Sequence, residues 1–213
     1  MDWTLSDIMA KTRRLTGRPE EGQLSGADLI NAINQYYRNV LPLEFSARVL
    51  WDFLSVTAEP GDGGAYELPA DVISVDVPSY LVDSAGEVSP LSLFTRASTF
   101  FGLHPEDETA EDAPEDLLAW GRFLYLRPLT DAPRTVKLAA YRRPAALSGD
   151  SDKPADPSWG ALIALGTAIE ILKEAGESDG AAALADLYSY HRELAARGGS
   201  PHAPAGMRAA PRF

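Results

Sequence analysis

The sequence predicts an α+β fold: a helical bundle formed by the N- and C-terminal helices, with an antiparallel β-rich region inserted between them. Three observations carry this. Apolar residues recur at helical spacing as far as Val40. From about Arg48 to Arg143 the apolar period shortens toward two. From Trp159 helical spacing returns and holds to about Arg197.

At the N-terminus, Thr4 or Ser6 can cap a helix running through Thr16, with Leu5, Ile8, Met9, Thr12 and Leu15 on one face. Gly17, Pro19 and Gly22 break it. Ser25 opens a second helix, and Asp28 stands at the capping-box position. Leu29, Ile30, Ile33, Tyr36, Tyr37 and Val40 form the clearest amphipathic face in this half, and Pro42 reads as its end.

In the middle, Val49 to Thr57 is rich in β-formers, Gly61 to Gly64 supplies a turn, and Tyr66 to Leu68 resumes an extended run. Ile73, Val75 and Val77 alternate with Ser74 and Asp76, which predicts a strand with one buried face. Arg96 to Phe101 reads as a short helix. Phe123 to Leu126 and Thr135 to Tyr141 read as the two strands of a hairpin, joined through Pro128 to Pro133.

Ser148 to Pro157 is a polar connector. Beyond it, Leu162, Leu165, Ile169 and Leu172 lie on one stripe, and Gly176 interrupts the helix. A last helix from Ser178 is expected to bury Leu184, Leu187, Tyr188, His191 and Leu194, and to stop at Gly198 and Gly199. The organisation expected is therefore residues 1–47 and 148–197 as the bundle, 48–147 as the β-rich insertion, and 198–213 as an extended tail arm. That arm carries two arginines and no acid.

Composition narrows the function. The 213 residues are 45% hydrophobic and 23% charged, which is ordinary globular usage. A net charge of −12 argues against a general nucleic-acid coat, because Lys and Arg supply phosphate affinity. The absence of cysteine removes disulfides, thiolate zinc sites and a Cys nucleophile. The N-terminus lacks the pattern of a signal peptide, and no run approaches the ~20 apolar residues of a membrane span. A soluble protein made in a cytoplasm is expected.

The search for chemistry is largely negative. His104, His191 and His202 have no metal-ligand spacing. No Ser sits in a nucleophile elbow, and no phosphate-binding loop is present. No cofactor and no metal are expected, and no catalytic residue is assigned. The run at residues 105–116 holds seven acids and no base. It reads as a solvated, self-repelling loop, or alternatively as a cation site or a basic partner's docking surface. The four Trp are scattered and read as core or subunit packing ahead of ligand stacking.

The order of several segments resembles the head-to-tail adaptor (connector, or tail accessory) proteins of tailed bacteriophages. These are RRLTG (Arg13 to Gly17), LINAINQYYRNVLP (Leu29 to Pro42), the strand with Trp51 and Phe53, and YELPADVISVDVP (Tyr66 to Pro78). WGRFLYLRP (Trp120 to Pro128), the run from Val136 to Pro157 and the helical segment Trp159 to Leu172 continue the series. The resemblance implies a structural, non-enzymatic virion protein at the head–tail junction. It implies a homo-oligomeric ring, a dodecamer in most members, seated under the portal protein and meeting tail or nozzle proteins. DNA would pass through its channel without sequence-specific binding. The implied partner contacts, to portal or to a neighbouring subunit, fall on Pro201, Met207, Arg208, Arg212 and Phe213 of the tail arm and on Tyr36 and Tyr37; Phe100 is a further candidate for subunit interface.

Three other readings stand beside this one. The first is another virion or assembly protein. The second is a carbohydrate- or ligand-binding β module with helical flanks, which requires clustered, solvent-facing aromatics. The third is a hydrolase working through two carboxylates, which requires a cleft with one acid of raised pKa.

Overall fold

The computed structural model describes residues 2–44, 47–105 and 109–198. Its contacts divide the chain into two compact units, one holding the chain up to Leu50 and from Arg143 onward, the other holding Trp51–Arg142. The architecture is α+β, with helical flanks around a β region.

In the helical unit, α1 (Leu5–Thr16) opens on a full capping box. The Thr4 hydroxyl accepts from the Asp7 N–H, and the Asp7 carboxylate accepts from the Thr4 N–H. Gly17 closes the helix in the left-handed region (φ 66°). Helix α2 (Gly26–Gln35) is capped by Ser25, whose hydroxyl accepts from the Asp28 N–H. Here the Asp28 carboxylate takes the Ser25 hydroxyl, so the short acid bonds side chain to side chain.

Pro42 does not end this helix. A π-helical turn, Tyr36–Val40, follows α2 and leads into α3 (Leu41–Glu44), which contains Pro42. The wide turn ends with the Leu41 N–H donating to the Tyr36 carbonyl. Pro42 thus sits in the first turn of the next segment, where a missing N–H leaves no ladder bond broken.

After a 3-10 turn (Pro157–Trp159), α5 (Gly160–Glu174) runs through the middle of this unit. The sequence stripe understates its burial: Leu162 through Ala168 are buried without interruption. Packing against α1 on one side and α6 (Ser178–Gly198) on another leaves it no wet face over those turns. On α6 the inward line is Ala181, Leu184, Tyr188, His191 and Ala195, of which the two alanines are buried and the other three half-buried. Leu187 and Leu194 lie off that line, 42% and 44% exposed, contrary to the sequence expectation. The alanines permit close approach of α6, and the larger leucines are turned outward. Gly198 still belongs to α6.

The connector is sewn to both N-terminal helices. The Leu5 and Ser6 N–H groups, orphans of the first turn, donate to the Asp152 and Asp150 carbonyls. The Asn34 amide donates to the Leu147 carbonyl and accepts from the Leu147 N–H, both at 2.8 Å. The Tyr37 hydroxyl accepts from the Ala155 N–H at 2.8 Å.

The β unit is two sheets over one core. One sheet takes the order β1 (Trp51–Ala58), β10 (Arg134–Arg142), β3 (Val72–Val82), β4 (Val88–Pro90), all antiparallel. The other takes the order β2 (Ala65–Glu67), β8 (Phe123–Arg127), β7 (Asp116–Trp120), β5 (Ser92–Phe94), in which β5 and β7 run parallel. Leu54, Leu81, Val136 and Leu138 of the first sheet meet Leu117, Leu124 and Leu126 of the second in a single apolar cluster. A short helix, α4 (Ala97–Leu103), packs on β5 and β7.

Two sequence expectations are corrected here. Phe123–Leu126 and Thr135–Tyr141 do not form a hairpin with each other; they lie in different sheets. Strand β8 pairs instead with β7 through the tight Gly121–Arg122 turn, where Gly121 takes φ 61°. The chain then crosses to the first sheet by way of β9 (Leu129–Thr130), which pairs in parallel with β6 (Glu111–Asp112). Part of the acidic run is therefore strand, and Asp116 begins β7; residues 106–108 of that run lie outside the described residues. The second correction is Val77, 62% exposed. A register shift between Leu138 and Ala139 falls opposite it, and the buried phase resumes at Ser79 and Leu81.

Candidate functional site

Among the described residues no group of His, Asp and Glu is placed to hold a metal ion. His104 ends α4 and pairs with Asp116 at 2.8 Å, beside the Phe100 ring. This contact fastens the end of α4 to β7. His191 lies on the inward line of α6, where burial first, and the Lys11 charge second, lower its pKa. His202 lies outside the described residues.

Among the described residues, the helical unit offers a cleft and the β unit offers two patches of exposed apolar side chains. The cleft, about 390 Å³, lies between α5 and α6 and the end of the π turn. Its walls are small or aliphatic (Val40, Gly166, Ile169, Ala181, Ala185), and one end is polar. There Tyr36 donates to the Tyr188 hydroxyl at 2.6 Å, and Tyr188 donates to the Glu44 carboxylate. Burial raises the pKa of both phenols, and the hydrogen bond each donates adds to it. Both remain protonated donors, so the chain of bonds is a strut from the π-helical turn to α6 and α3.

Glu170 stands in the same cleft. Its pKa is raised first by burial, then by Glu174, with Lys173 opposing and Glu44 adding a smaller push. The reason is desolvation of the charged form beside other acids. A carboxyl held above its ordinary 4.5 contributes stability that is complete below that pH and lost as pH rises through the raised value. Glu170→Gln should therefore raise the thermal midpoint slightly near neutral pH, by an amount that solvent screening keeps small. The gain should vanish below pH 4.5 in paired melting curves. A gain that grows on acidification would contradict this. The one raised acid the hydrolase reading asked for is thus present, but the neighbouring carboxylate, Glu44, is engaged by Tyr188.

In the β unit the outer face of the β7–β8 sheet carries an array of rings. Phe101 meets Trp120 at 5.8 Å and Tyr125 at 5.4 Å, and Phe123 meets Tyr125 at 6.3 Å. Trp120 is 56% exposed and Phe123 42%. The opposite sheet's outer face carries Phe53, 49% exposed and 5.8 Å from Tyr80, and Val88, 63% exposed.

The sequence-predicted contact residues divide in two. Pro201, Met207, Arg208, Arg212 and Phe213 lie outside the described residues. Tyr36 and Tyr37 are 2% and 1% exposed. Tyr36 faces Gly166 and Tyr188, and Tyr37 packs edge-on to Trp159 at 6.3 Å. As surface for another chain they are withdrawn; an aromatic pair on an amphipathic helix serves the helix's own interior. Phe100, also read as interface, is 0% exposed, held between Phe94 and Phe101. What sequence reasoning missed is the patch at Trp120, because its members come from α4, β7 and β8 and share no local period.

A family model described as SU10 adaptor protein matches residues 3–208, which takes in both units. The chain belongs to this family. The comparison with curated proteins found no match. As an SU10 adaptor protein it has the structural role of a phage head-to-tail adaptor. Its N-terminal helices and the helices from Gly160 share one interior, and the β unit is inserted between them in sequence. Among the described residues no helix of the adaptor is long and apolar enough to cross a membrane.

Proposed function

We propose that this adaptor is the subunit of a ring that joins the portal to the tail in the virion and surrounds the path of the DNA, without catalysis. The observation that carries this reading is the family match over residues 3–208. The net charge of −12 supports free DNA passage, since a channel short of cations gives phosphates little to hold. Portal and tail or nozzle proteins are the partners, and the assembly is a dodecamer.

The portal contact is assigned to the tail arm, with Met207 and Phe213 as apolar anchors, Arg208 and Arg212 meeting acids, and Pro201 stiffening the approach. Sedimentation of the full chain with purified portal should give one complex heavier than the portal by a ring of subunits. Deleting residues 199–213 should leave the far-UV spectrum and melting unchanged and abolish co-sedimentation. A deleted chain that still rides with the portal would refute the tail assignment; a full chain that never does would refute the adaptor ring. A duplex of random sequence should show no mobility shift at physiological salt.

The ring cluster at Trp120 and Phe123 is what the ligand-binding reading required, so it is tested separately. Intrinsic Trp fluorescence titrated with glycans should not change; a saturable change would favour that reading.

A further inference from the structure

Both sheets of the β unit turn one face to the shared Leu/Val core, so their other faces look outward in opposite directions. Each outer face carries large apolar side chains that a monomer leaves partly exposed. On the β1–β10–β3–β4 sheet, Phe53, Tyr80, Val82 and Val88 share a face by register, with Lys137 set among them. Lys137 stands directly opposite Ser55 on one side and Tyr80 on the other, so no acid faces it at either register position. On the β2–β8–β7–β5 sheet, the face carries Trp120, Phe123 and Tyr125 with Phe101 laid on them. Glu67, the register partner of Phe123, borders that patch. Glu67 pairs with Arg122 at 3.3 Å, both side chains more than 60% exposed, a contact water screens heavily.

Two unlike apolar patches on opposite sides of one rigid unit are the requirement for head-to-tail association. A two-fold dimer uses one patch twice and leaves the other wet, whereas a closed ring uses each patch once in every subunit. We propose that a second copy of this chain docks on the β unit: the Phe53–Tyr80–Val88 face of one copy seats against the Trp120–Phe123 face of the next. Lys137 then meets the Glu67 carboxylate of its neighbour. Lys137 and Glu67 are opposite in charge, and an isologous contact of the first patch would instead set Lys137 near Lys137. The inference rests on the ring reading above and names the surfaces that close the ring.

The test is complementation between Phe53→Glu and Trp120→Glu. Both side chains are about half exposed, so each variant should keep the wild-type spectrum and melt, which is measured first. In sedimentation velocity over a concentration series the wild type should form rings, and each variant alone should stay at 23.0 kDa. Mixed in equal amounts, the two should give a species of twice the chain mass and nothing larger, because each supplies the one patch the other has lost. Lys137→Glu should weaken rings, and Lys137→Glu with Glu67→Lys should restore them. Variants that assemble like the wild type overturn the inference and leave the ring standing. A mixture that stays monomeric, or a Trp120→Glu variant that still dimerises by itself, overturns the head-to-tail pairing. A wild type that neither self-assembles nor assembles on the portal takes down the ring reading as well.

Discussion

Trp159→Ala is expected to destabilise the helical unit by about 3–5 kcal/mol, the range for deleting a fully buried large aromatic. Trp159 is 1% exposed and stands where the connector becomes α5. Its indole packs edge-on to Tyr37, whose hydroxyl in turn accepts the Ala155 N–H. Truncation removes the transfer energy of the ring, leaves a void and loosens the Tyr37 bond to the connector. For a chain of this length each kcal/mol moves the midpoint by roughly 2–4 °C, so the melt should fall by roughly 10 °C. Urea unfolding followed by far-UV dichroism, with Trp fluorescence as a second probe, would check this. A variant that melts within a degree or two of the parent would mean the ring is not part of the interior. Trp159→Phe, which keeps most of the volume, should lose well under half as much.

Gly166→Ala is the second large effect, and it comes from adding one carbon. A Cβ built on Gly166 would lie 2.1 Å from Cζ of Tyr36, a distance no real contact tolerates. Tyr36 cannot retreat easily, since it is 2% exposed and tied to Tyr188, which is tied to Glu44. Alanine normally improves a helix by about 1 kcal/mol over glycine. Here overpacking should win, for a net loss of about 1–3 kcal/mol. The diagnostic is a double-mutant cycle with Tyr36→Ala. Shrinking the ring makes room for the methyl group, so the double variant should be more stable than the sum of the two single losses allows. Strict additivity would show that glycine and tyrosine do not touch. Gly160 offers an independent replicate, because a Cβ there would lie 2.0 Å from Cγ of Trp3.

Both experiments probe the same device. Glycines on α5 let aromatic rings from the N-terminal segment come close against its backbone, and that is how the N-terminal helices and α5 come to share an interior. Neither glycine stood out in the sequence as anything but part of an apolar run.

The elements that sequence alone decided are those whose information is local. Ser25 with Asp28 announced the start of α2, and the start of α1 was narrowed to Thr4 or Ser6, because a cap and its N–H lie within one turn of chain. The helix–β–helix order was legible because periods of 3.6 and 2 are written in each segment independently. Family membership was legible for a related reason: the order of segments, not any one motif, carries it.

What tertiary structure decided is pairing and exposure, which depend on residues far apart in the chain. The sheet to which Phe123–Leu126 belongs was settled by β7 closing on it through Gly121, not by the next strand in sequence. Whether Tyr36 and Tyr37 face a partner or the interior was settled by Gly166 and Trp159, more than a hundred residues away. Leu187 and Leu194 face outward because Ala181 and Ala195 let α6 approach closely along another line. The Trp120 patch exists only because α4, β7 and β8 meet. An apolar side chain carries the same transfer energy wherever it sits, so its sequence position says that it seeks cover and leaves open what covers it.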